Sequence, residues 1–239
     1  MNNLNQFKKI IQESNNIVFF GGAGVSTESN IPDFRSSNGL YREKRSISPE
    51  EILSHHFFME NPKDFYDFYR EKMIYKDAKP NVTHLALAKL EKEGKLKAVI
   101  TQNIDGLHQL AGSKNVLELH GSVLRNYCMR CHKFYDLDTI INSKGVPRCS
   151  CGGIIKPDVV LYEEGLDQKT LRDSLYYIST CDTLIIGGTS LTVYPAAGLV
   201  QYFNGKNLIV INKSDISTML GATLVINDSL GNVFKEIIE

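Results

Sequence analysis

Short apolar segments alternate with longer amphipathic segments along most of this chain, and several of the short segments lead into glycine. Asn3–Glu13 has apolar residues at helical spacing, and Ile17–Phe20 is a β-branched and aromatic run that fits a buried strand. The further predicted elements are helices at Val82–Glu93 and Gln168–Ser179 and strands at Ala98–Thr101, Thr183–Ile186, Leu208–Ile211 and Thr223–Ile226. Short buried strands separated by helices are typical of a parallel sheet covered on both faces. The pattern therefore predicts an α/β fold with a Rossmann-like, doubly wound parallel sheet.

Two segments interrupt this alternation. The first, from Ser29 to about Pro80, has helix starts predicted at Ser48-Pro49 and Asn61-Pro62, where an N-cap residue precedes proline. The second, from Gly121 to Pro157, holds four cysteines. We predict a single catalytic unit, residues 1–239, with a large lobe from about 1–35, 80–120 and 158–239 and a small lobe from a helical insertion, about 36–79, and a cysteine module, about 121–157.

Composition limits the classes of partner. The 27 basic and 27 acidic residues cancel, so no overall field draws the protein to nucleic acid or to an anionic membrane. The polar start, Met1 to Lys9, lacks the apolar run of a signal peptide, and no stretch approaches the roughly 20 apolar residues of a membrane span. We expect a cytoplasmic protein with no nucleic-acid or membrane partner, and the sequence leaves its oligomeric state open.

Four of the five cysteines form two close pairs. Cys128-x2-Cys131 is followed after seventeen residues by Cys149-x-Cys151, a spacing that places two ligand pairs on separate turns. Four thiolates make a closed tetrahedral site, so a Zn²⁺ held there would stabilise the small lobe and would not activate water. A disulfide or simple buried thiols are the alternatives in this segment. The isolated Cys181 is expected to be a small core residue.

A glycine-rich turn follows the first predicted strand. Gly22-Ala23-Gly24 is predicted to be a tight turn before a helix start, with free backbone N–H groups for a pyrophosphate. The G-x-G-x-x-G fingerprint of dinucleotide-binding oxidoreductases fits only in part, because Thr27 occupies the third glycine position. Taken alone, the turn favours dinucleotide binding and an ordinary loop about equally.

The segments beyond this turn resemble one enzyme family. Gly22-Ala23-Gly24-Val25-Ser26 followed by Ile31-Pro32-Asp33-Phe34-Arg35 resembles the sirtuin signature G-A-G-x-S-x-x-S-G-I-P-D-F-R, except that Asn30 stands where the family usually has glycine. Asparagine tolerates a left-handed backbone better than most residues. Thr101-Gln102-Asn103-Ile104-Asp105-Gly106-Leu107-His108 resembles the sirtuin motif T-Q-N-I-D-x-L-H, and Leu119-His120-Gly121 resembles its L-H-G motif. The resemblance extends from about Ile17 to Asp228.

This resemblance implies NAD as co-substrate and one structural Zn²⁺. His120 and Asn103 are implied as catalytic residues, with His120 as the base, and Cys128, Cys131, Cys149 and Cys151 as the zinc ligands. The implied cofactor-binding residues are Gly22, Ala23, Gly24, Thr27, Asp33, Phe34, Arg35, Gln102, Asn103, Ile104, Asp105, His120, Gly188, Thr189, Ser190, Asn212, Lys213 and Asp228. Among these, Asp105 is implied to hold the nicotinamide carboxamide, because a carboxylate can accept both amide protons.

The implied partners are acylated lysine side chains of proteins or peptides. The segment from Pro157 to Glu164 resembles the part of sirtuins that pairs with the substrate peptide as an added strand. Val160, Leu161, Tyr162 and Val193 are the implied peptide contacts. Glu163 stands where the family typically has glycine. Sirtuins that remove acidic acyl groups share a Y-x-x-R pair, but Tyr69 occupies the arginine position counted from Tyr66, with Arg70 one residue later. This favours acetyl and similar neutral groups.

The sequence therefore predicts an NAD-dependent protein lysine deacylase that transfers the acyl group to ADP-ribose and releases nicotinamide. A protein ADP-ribosyltransferase on the same scaffold and a non-catalytic NAD-binding protein are the alternatives. The combination of Asn103, Asp105 and His120 disfavours the second, and Thr27 with the Pro32–Arg35 loop disfavours a dehydrogenase.

Overall fold

A six-stranded parallel sheet is the centre of the protein in the computed structural model, which describes residues 2–34, 39–42, 46–213 and 221–238. Its strands are β1 (Ile17–Gly21), β2 (Leu96–Thr101), β3 (Val116–Glu118), β7 (Thr183–Gly187), β8 (Asn207–Ile211) and β9 (Leu224–Ile226). They lie in the order β3-β2-β1-β7-β8-β9, and every neighbouring pair is parallel. The predicted doubly wound α/β fold is confirmed.

The alternation of side chains along β1 explains why helices cover both faces of this sheet. Phe19 packs in one buried cluster with residues of α1 (Asn3–Glu13), α5 (Val82–Lys92) and α9 (Leu230–Ile238). Phe20 packs in another, with residues of α8 (Gln168–Thr180) and of a 3₁₀ segment, Ala196–Tyr202. Because both faces are buried at β1, this strand is apolar throughout rather than alternating with polar residues.

A second sheet and a group of helices share a third buried cluster. The sheet has the order β5-β4-β6, with β4 (Gly121–Cys128) antiparallel to both β5 (Phe134–Tyr135) and β6 (Ile155–Val159). The remaining helices are α2 (Pro49–Ile52), α3 (His55–Glu60), α4 (Pro62–Lys72), α6 (Leu107–Leu110) and α7 (Leu137–Asn142). Phe58, Tyr66 and Tyr69 pack with Val123 and Ile155 in this cluster. The cluster thus joins the helical insertion to the cysteine module, which supports the proposed division into two lobes.

Two of the predicted helix starts differ in how they are capped. Ser48 accepts a hydrogen bond from the Glu51 N–H before α2, as expected of an N-cap serine. Asn61 precedes Pro62 at the start of α4, but its side chain makes no capping bond. Its carbonyl instead accepts the Phe65 N–H, so proline sets this start without a side-chain cap.

The predicted helix after the glycine turn is wrong. Gly22 leads into two short 3₁₀ segments, Ala23–Val25 and Thr27–Ser29, and the second ends at Asn30 in the left-handed conformation with φ 62°. The left-handed residue stops helical propagation after one turn. Asparagine therefore takes the conformation expected at this position.

In the described part of the chain, none of the helices has both the length and the apolar character needed to cross a bilayer.

Candidate functional site

A cavity of about 1480 Å³ lies where the parallel strands end. Strands β1, β2, β7 and β8 end at Gly21, Thr101, Gly187 and Ile211, and the loops that follow them line the cavity. Ligands of open α/β sheets bind at this edge. Every cofactor and peptide residue predicted from the sequence lines this one cavity, apart from Arg35, which lies outside the described residues.

The glycine turn packs directly against the loop after β7. Gly22 N–H donates to the Gly187 carbonyl (3.2 Å) and Gly24 N–H to the Gly188 carbonyl (2.8 Å). A Cβ on Gly24 would lie 2.7 Å from the Gly188 Cα, and one on Gly22 would lie 2.8 Å from the Thr189 Cβ. The N–H groups of Gly22 and Gly24 are thus bonded to the neighbouring loop and are not free for a pyrophosphate. These glycines allow two backbones to approach closely at the cavity wall.

A polar triad joins the first and second motifs. The Ser26 hydroxyl donates to the Asp105 carboxylate (2.6 Å), and the Asn103 side-chain amide donates to the Ser26 oxygen (3.1 Å). Leu107 N–H donates to the other Asp105 oxygen (2.9 Å). Burial raises the pKa of Asp105, and these two donors oppose the rise. The triad holds a partly buried carboxylate at the cavity wall.

His120 is half-buried and has a fixed tautomer. Its Nδ1 lies 2.9 Å from the Gln102 carbonyl oxygen, which can only accept a hydrogen bond, so Nδ1 carries the proton. In the neutral ring Nε2 therefore keeps a free lone pair. Burial lowers the pKa of His120, and the Gln102 carbonyl opposes the shift. The ring is consequently neutral at pH 7 and able to accept a proton through Nε2.

The far end of the cavity is formed by the loops after β7, β8 and β9. The Thr189 hydroxyl accepts from the Gln102 side chain (3.1 Å), and the Asn212 side chain donates to the Thr189 carbonyl (3.2 Å). Asp228 accepts from Ser229 N–H (2.6 Å) and from the Asn232 side chain (2.8 Å) at the start of α9. Gly188, Ser190 and Lys213 complete this wall. The predicted contacts of the adenosine half are thus brought together on one side.

The four clustered cysteines lie outside this cavity. Their Sγ atoms all lie within 4.8 Å of one another, and three pairs are separated by 3.4 to 3.5 Å. A tetrahedral Zn²⁺ with Zn–S bonds of 2.3 Å needs sulfur separations of about 3.8 Å, so the donor set fits Zn²⁺. Four thiolates leave no coordination position for water, which makes the site structural. All five cysteines are free thiols, and Cys181 is buried in the core as predicted.

Comparison with known proteins identifies the family. The Sir2 family model matches residues 22–195, which is more than half of the chain. The chain belongs to the Sir2 family.

Sir2 relatives cover the chain almost completely. An NAD-dependent protein deacetylase of Clostridium perfringens is 64% identical over 99% of this chain and 98% of its own length. The NAD-dependent protein deacetylase of Clostridium acetobutylicum is 62% identical over 100% of this chain and 99% of its own length. A Sir2 structure with a deacetylated p53 peptide and 3'-O-acetyl ADP ribose has a TM-score of 0.90 at 38% identity, covering 98% of this chain and 97% of its own. A Sir2 complex with p53 peptide and NAD⁺ has a TM-score of 0.86 at 39% identity, with the same coverage.

In this Sir2 protein, the segment expected to pair with the substrate peptide uses three of its backbone N–H groups in hydrogen bonds within the chain. Val160 N–H donates to the His120 carbonyl (3.0 Å), Tyr162 N–H to the Leu53 carbonyl (3.0 Å), and Leu161 N–H to the Glu164 carboxylate (2.9 Å). Leu161 lines the cavity, but its side chain is only 3% exposed. The Leu161 and Tyr162 carbonyls accept hydrogen bonds from Glu164 N–H (3.0 Å) and His55 N–H (2.9 Å), so most of the backbone of this segment is bonded within the chain.

Glu163 adopts a backbone conformation that suits glycine, with φ 76°. Its carboxylate accepts a hydrogen bond from the His56 N–H (3.1 Å) and lies 2.8 Å from the His56 Nδ1. These contacts at the start of α3 stabilise a residue that its backbone angle disfavours. The acid thus stands at the mouth of the cavity where sirtuins typically have glycine.

The sequence motifs did not reveal all the residues that shape the site. The Ser26 hydroxyl bridges Asn103 and Asp105, a role that the first sequence motif did not assign to this serine. Asn81, 56 residues from Val25, donates from its side chain to the Val25 carbonyl (2.8 Å) and to the Ser29 hydroxyl (3.0 Å). An asparagine before a helix signals an N-cap in the sequence, and the second role appears only in three dimensions.

Proposed function

We propose that this Sir2 protein is an NAD-dependent protein lysine deacetylase that transfers the acyl group of a modified lysine to ADP-ribose and releases nicotinamide. The observation that carries the proposal is His120, whose unprotonated Nε2 belongs to the same cavity wall as the Ser26–Asn103–Asp105 triad. The names of the relatives support it, since the clostridial proteins are NAD-dependent protein deacetylases.

The size and lining of the cavity fit two substrates. A drug-sized ligand occupies a pocket of up to about 1,000 Å³. The cavity of about 1480 Å³ therefore has room for a dinucleotide and an extended acyl-lysine. When bound, NAD supplies an electrophilic ribose carbon and the hydroxyl oxygen that receives the acyl group.

The residues of the chain divide the remaining work. His120 Nε2 accepts the proton of a ribose hydroxyl, while its Nδ1–H stays on the Gln102 carbonyl. The Asp105 carboxylate accepts hydrogen bonds from the carboxamide N–H groups of nicotinamide. The Asn103 side chain holds Ser26 beside Asp105. Phe34 lines the cavity and packs on Tyr41 (5.4 Å between ring centroids), where it excludes water from the reacting carbon.

The positions of Tyr66, Tyr69 and Arg70 support neutral acyl groups as substrates. The Arg70 guanidinium donates to the carbonyls of Ile140 (2.9 Å) and Gly145 (2.6 Å). Tyr66 donates to the Ile155 carbonyl, and both tyrosines are fully buried in the third cluster. None of the three lines the cavity, so no guanidinium from this helix pairs with an acidic acyl group.

A cytoplasmic location is part of the proposal, supported by the two close cysteine pairs, whose spacing in a reducing compartment favours a metal site over disulfides. The four clustered cysteines are positioned to bind zinc.

Product analysis tests the function. Purified protein is incubated with NAD and an acetyl-lysine peptide, and mass spectrometry follows nicotinamide, free-lysine peptide and O-acetyl-ADP-ribose. We expect the three products in equal amounts, and slower turnover on a succinyl-lysine peptide than on an acetyl-lysine peptide. A peptide that gains ADP-ribose and keeps its acetyl group would identify an ADP-ribosyltransferase, and NAD binding without consumption would identify a binding protein.

A further inference from the structure

Two histidines outside the proposed reaction lie against each other beneath the cofactor loops. His84, on α5, and His108, on α6, are 0% and 1% exposed. Their ring centroids are 4.7 Å apart, with an angle of 58° between the ring planes. Within the described residues, His84 Nε2 and both ring nitrogens of His108 have no hydrogen-bond partner. Buried polar groups are rarely left unpaired, because each costs free energy.

The tautomer of His84 follows from its helix cap. Asn81 N–H donates to His84 Nδ1 (3.2 Å), so Nδ1 is unprotonated and Nε2 carries the hydrogen. This Nε2–H is a buried donor in need of an acceptor. Every neutral imidazole has one unprotonated nitrogen, and His108 presents its ring to His84 at contact distance. Turning the His108 ring about its Cβ–Cγ bond exchanges the positions of its nitrogen and carbon atoms and would supply the acceptor.

Each histidine is tied to a different cofactor loop. Through Asn81, His84 is linked to the glycine-turn loop, since the Asn81 side chain donates to the Val25 carbonyl (2.8 Å) and the Ser29 hydroxyl (3.0 Å). His108 belongs to the helix whose first residue, Leu107, donates its N–H to Asp105 (2.9 Å). The buried histidine pair therefore links the two loops beneath the cavity. The hydrogen bond between Ser26 and Asp105 links the same loops at the cavity wall (2.6 Å).

We propose that His84 and His108 are positioning residues, joined by a hydrogen bond from His84 Nε2–H to His108, which hold the glycine-turn loop and the Asp105 loop at the separation that NAD requires. Burial in apolar surroundings keeps both rings uncharged, which preserves the one donor and one acceptor that the bond needs. The proposal rests on the proposed NAD site, but the bond itself can be observed without it.

Two substitutions of His108 separate the acceptor from the packing. His108→Phe fills the space beside Phe19 and removes the acceptor, so His84 Nε2–H is left buried and unpaired. His108→Gln restores an acceptor through its amide oxygen. We expect the Kd for NAD, measured by calorimetry, to rise about tenfold in His108→Phe and to recover most of this loss in His108→Gln. Leu90→Val, on the same helix and buried in the core, is the control: it lowers Tm and leaves the Kd unchanged.

Nitrogen-15 NMR of histidine-labelled protein observes the bond directly. We expect His84 in the Nε2–H tautomer at pH 7, with a slowly exchanging ring proton that is lost in His108→Phe and present in His108→Gln. An Nδ1–H tautomer of His84, an unchanged Kd in His108→Phe, or a His108→Gln variant as impaired as His108→Phe would overturn the proposal. Absence of deacetylation or NAD binding in the wild type would overturn the proposed function, while the NMR result would still decide the histidine bond.

Discussion

His120 is held by hydrogen bonds on both its ring and its backbone, which separates its chemistry from its structural role. Replacement by alanine removes the Nε2 base but leaves the Val160–His120 backbone bond (3.0 Å) in place. We expect His120→Ala to lower kcat for deacetylation by about 10²- to 10⁴-fold, the usual contribution of general base catalysis, with an unchanged circular dichroism spectrum. His132→Asn is the control, because His132 is exposed outside the cavity and asparagine tolerates its φ of 58°. Normal turnover in His120→Ala would exclude it as the base.

The environment of His120 also predicts the pH dependence of activity. Burial lowers its pKa below the ordinary value of about 6.5, and only the neutral ring can accept a proton. The acid limb of log kcat/KM against pH should therefore have its midpoint below 6.5, with a plateau through neutral pH. A pH profile of deacetylated-peptide formation at low peptide concentration measures this midpoint. A midpoint above 6.5 would contradict the assigned environment.

The sequence predicted residues that line one cavity but few of their contacts. Motif residues such as Asp105 and His120 follow strands, and the carboxyl ends of parallel strands lie at one edge of the sheet. The sequence could therefore predict that these side chains lie close together. The bond between Ser26 and Asp105 joins residues 79 positions apart, and no local pattern encodes it. The same holds for Glu163, whose left-handed backbone conformation is stabilised by contacts with His56 on α3.

The contact between the glycine turn and the loop after β7 predicts which glycine cannot be replaced without loss of stability. A Cβ on Gly24 would lie 2.7 Å from the Gly188 Cα, and backbone cannot turn aside as a flexible side chain can. We expect Gly24→Ala to destabilise the protein by about 1–3 kcal/mol and to weaken NAD binding by separating the loops. Gly165 has open space around it, so Gly165→Ala should be neutral or slightly stabilising. Thermal unfolding and NAD calorimetry on both variants check this, and equal behaviour would contradict the packing argument.

The zinc module predicts a loss of stability that is separable from the chemistry. The cysteine pairs come from the end of β4 and from the loop before β6, so Zn²⁺ would fasten the two strands together. Cys128→Ser should abolish binding of about one equivalent of zinc and lower Tm by about 10 °C or more. Cys181→Ser is the matched control, as a buried thiol outside the cluster, and should retain the metal. Metal analysis after purification without chelator decides the point: wild-type protein without zinc would exclude the structural site.

The elements themselves were predictable where side-chain periodicity determines them. The strands at Ile17 and Thr183 are buried on both faces, so their apolar runs are continuous and visible in the sequence. The segment after Gly22 is different, because its 3₁₀ turns depend on packing against Gly188 and on the left-handed Asn30. Close approach between distant loops has no periodic signal, and for this reason the predicted helix start was wrong.

Residues from both sheets line the one cavity. His120 lies between β3 of the parallel sheet and β4 of the smaller sheet, and its carbonyl accepts the Val160 N–H after β6. Arg125 on β4 donates to Glu118 on β3 (2.7 Å) and to Asp158 on β6 (2.7 Å). His120 therefore lies at the junction of the two sheets, where a movement of one sheet relative to the other would displace it.

The buried histidines give the whole molecule a specific sensitivity to acid. Burial lowers the pKa of His84 to about 4, and it lowers the pKa of His108 well below its ordinary value. In the unfolded chain both titrate near pH 6.5, so between pH 6.5 and pH 4 the unfolded state binds more protons than the folded state, and stability falls as the pH falls. The shift of His84 alone corresponds to about 3 kcal/mol of unfolding free energy lost by pH 4.

Urea unfolding of the wild type and of His84→Gln at several pH values isolates this contribution. Glutamine does not titrate, so the unfolding free energy of His84→Gln should fall less between pH 7 and pH 4, and the difference between the two proteins should change by about 3 kcal/mol. Protonation of the zinc thiolates affects both proteins and cancels in the difference. His56→Gln is the control with a pKa shift in the opposite direction. The hydrogen bond to Glu163 raises the pKa of His56, so this substitution should not reduce the loss of stability at low pH. Parallel pH profiles for wild type and His84→Gln would show that His84 is accessible to protons in the folded state, contrary to its burial.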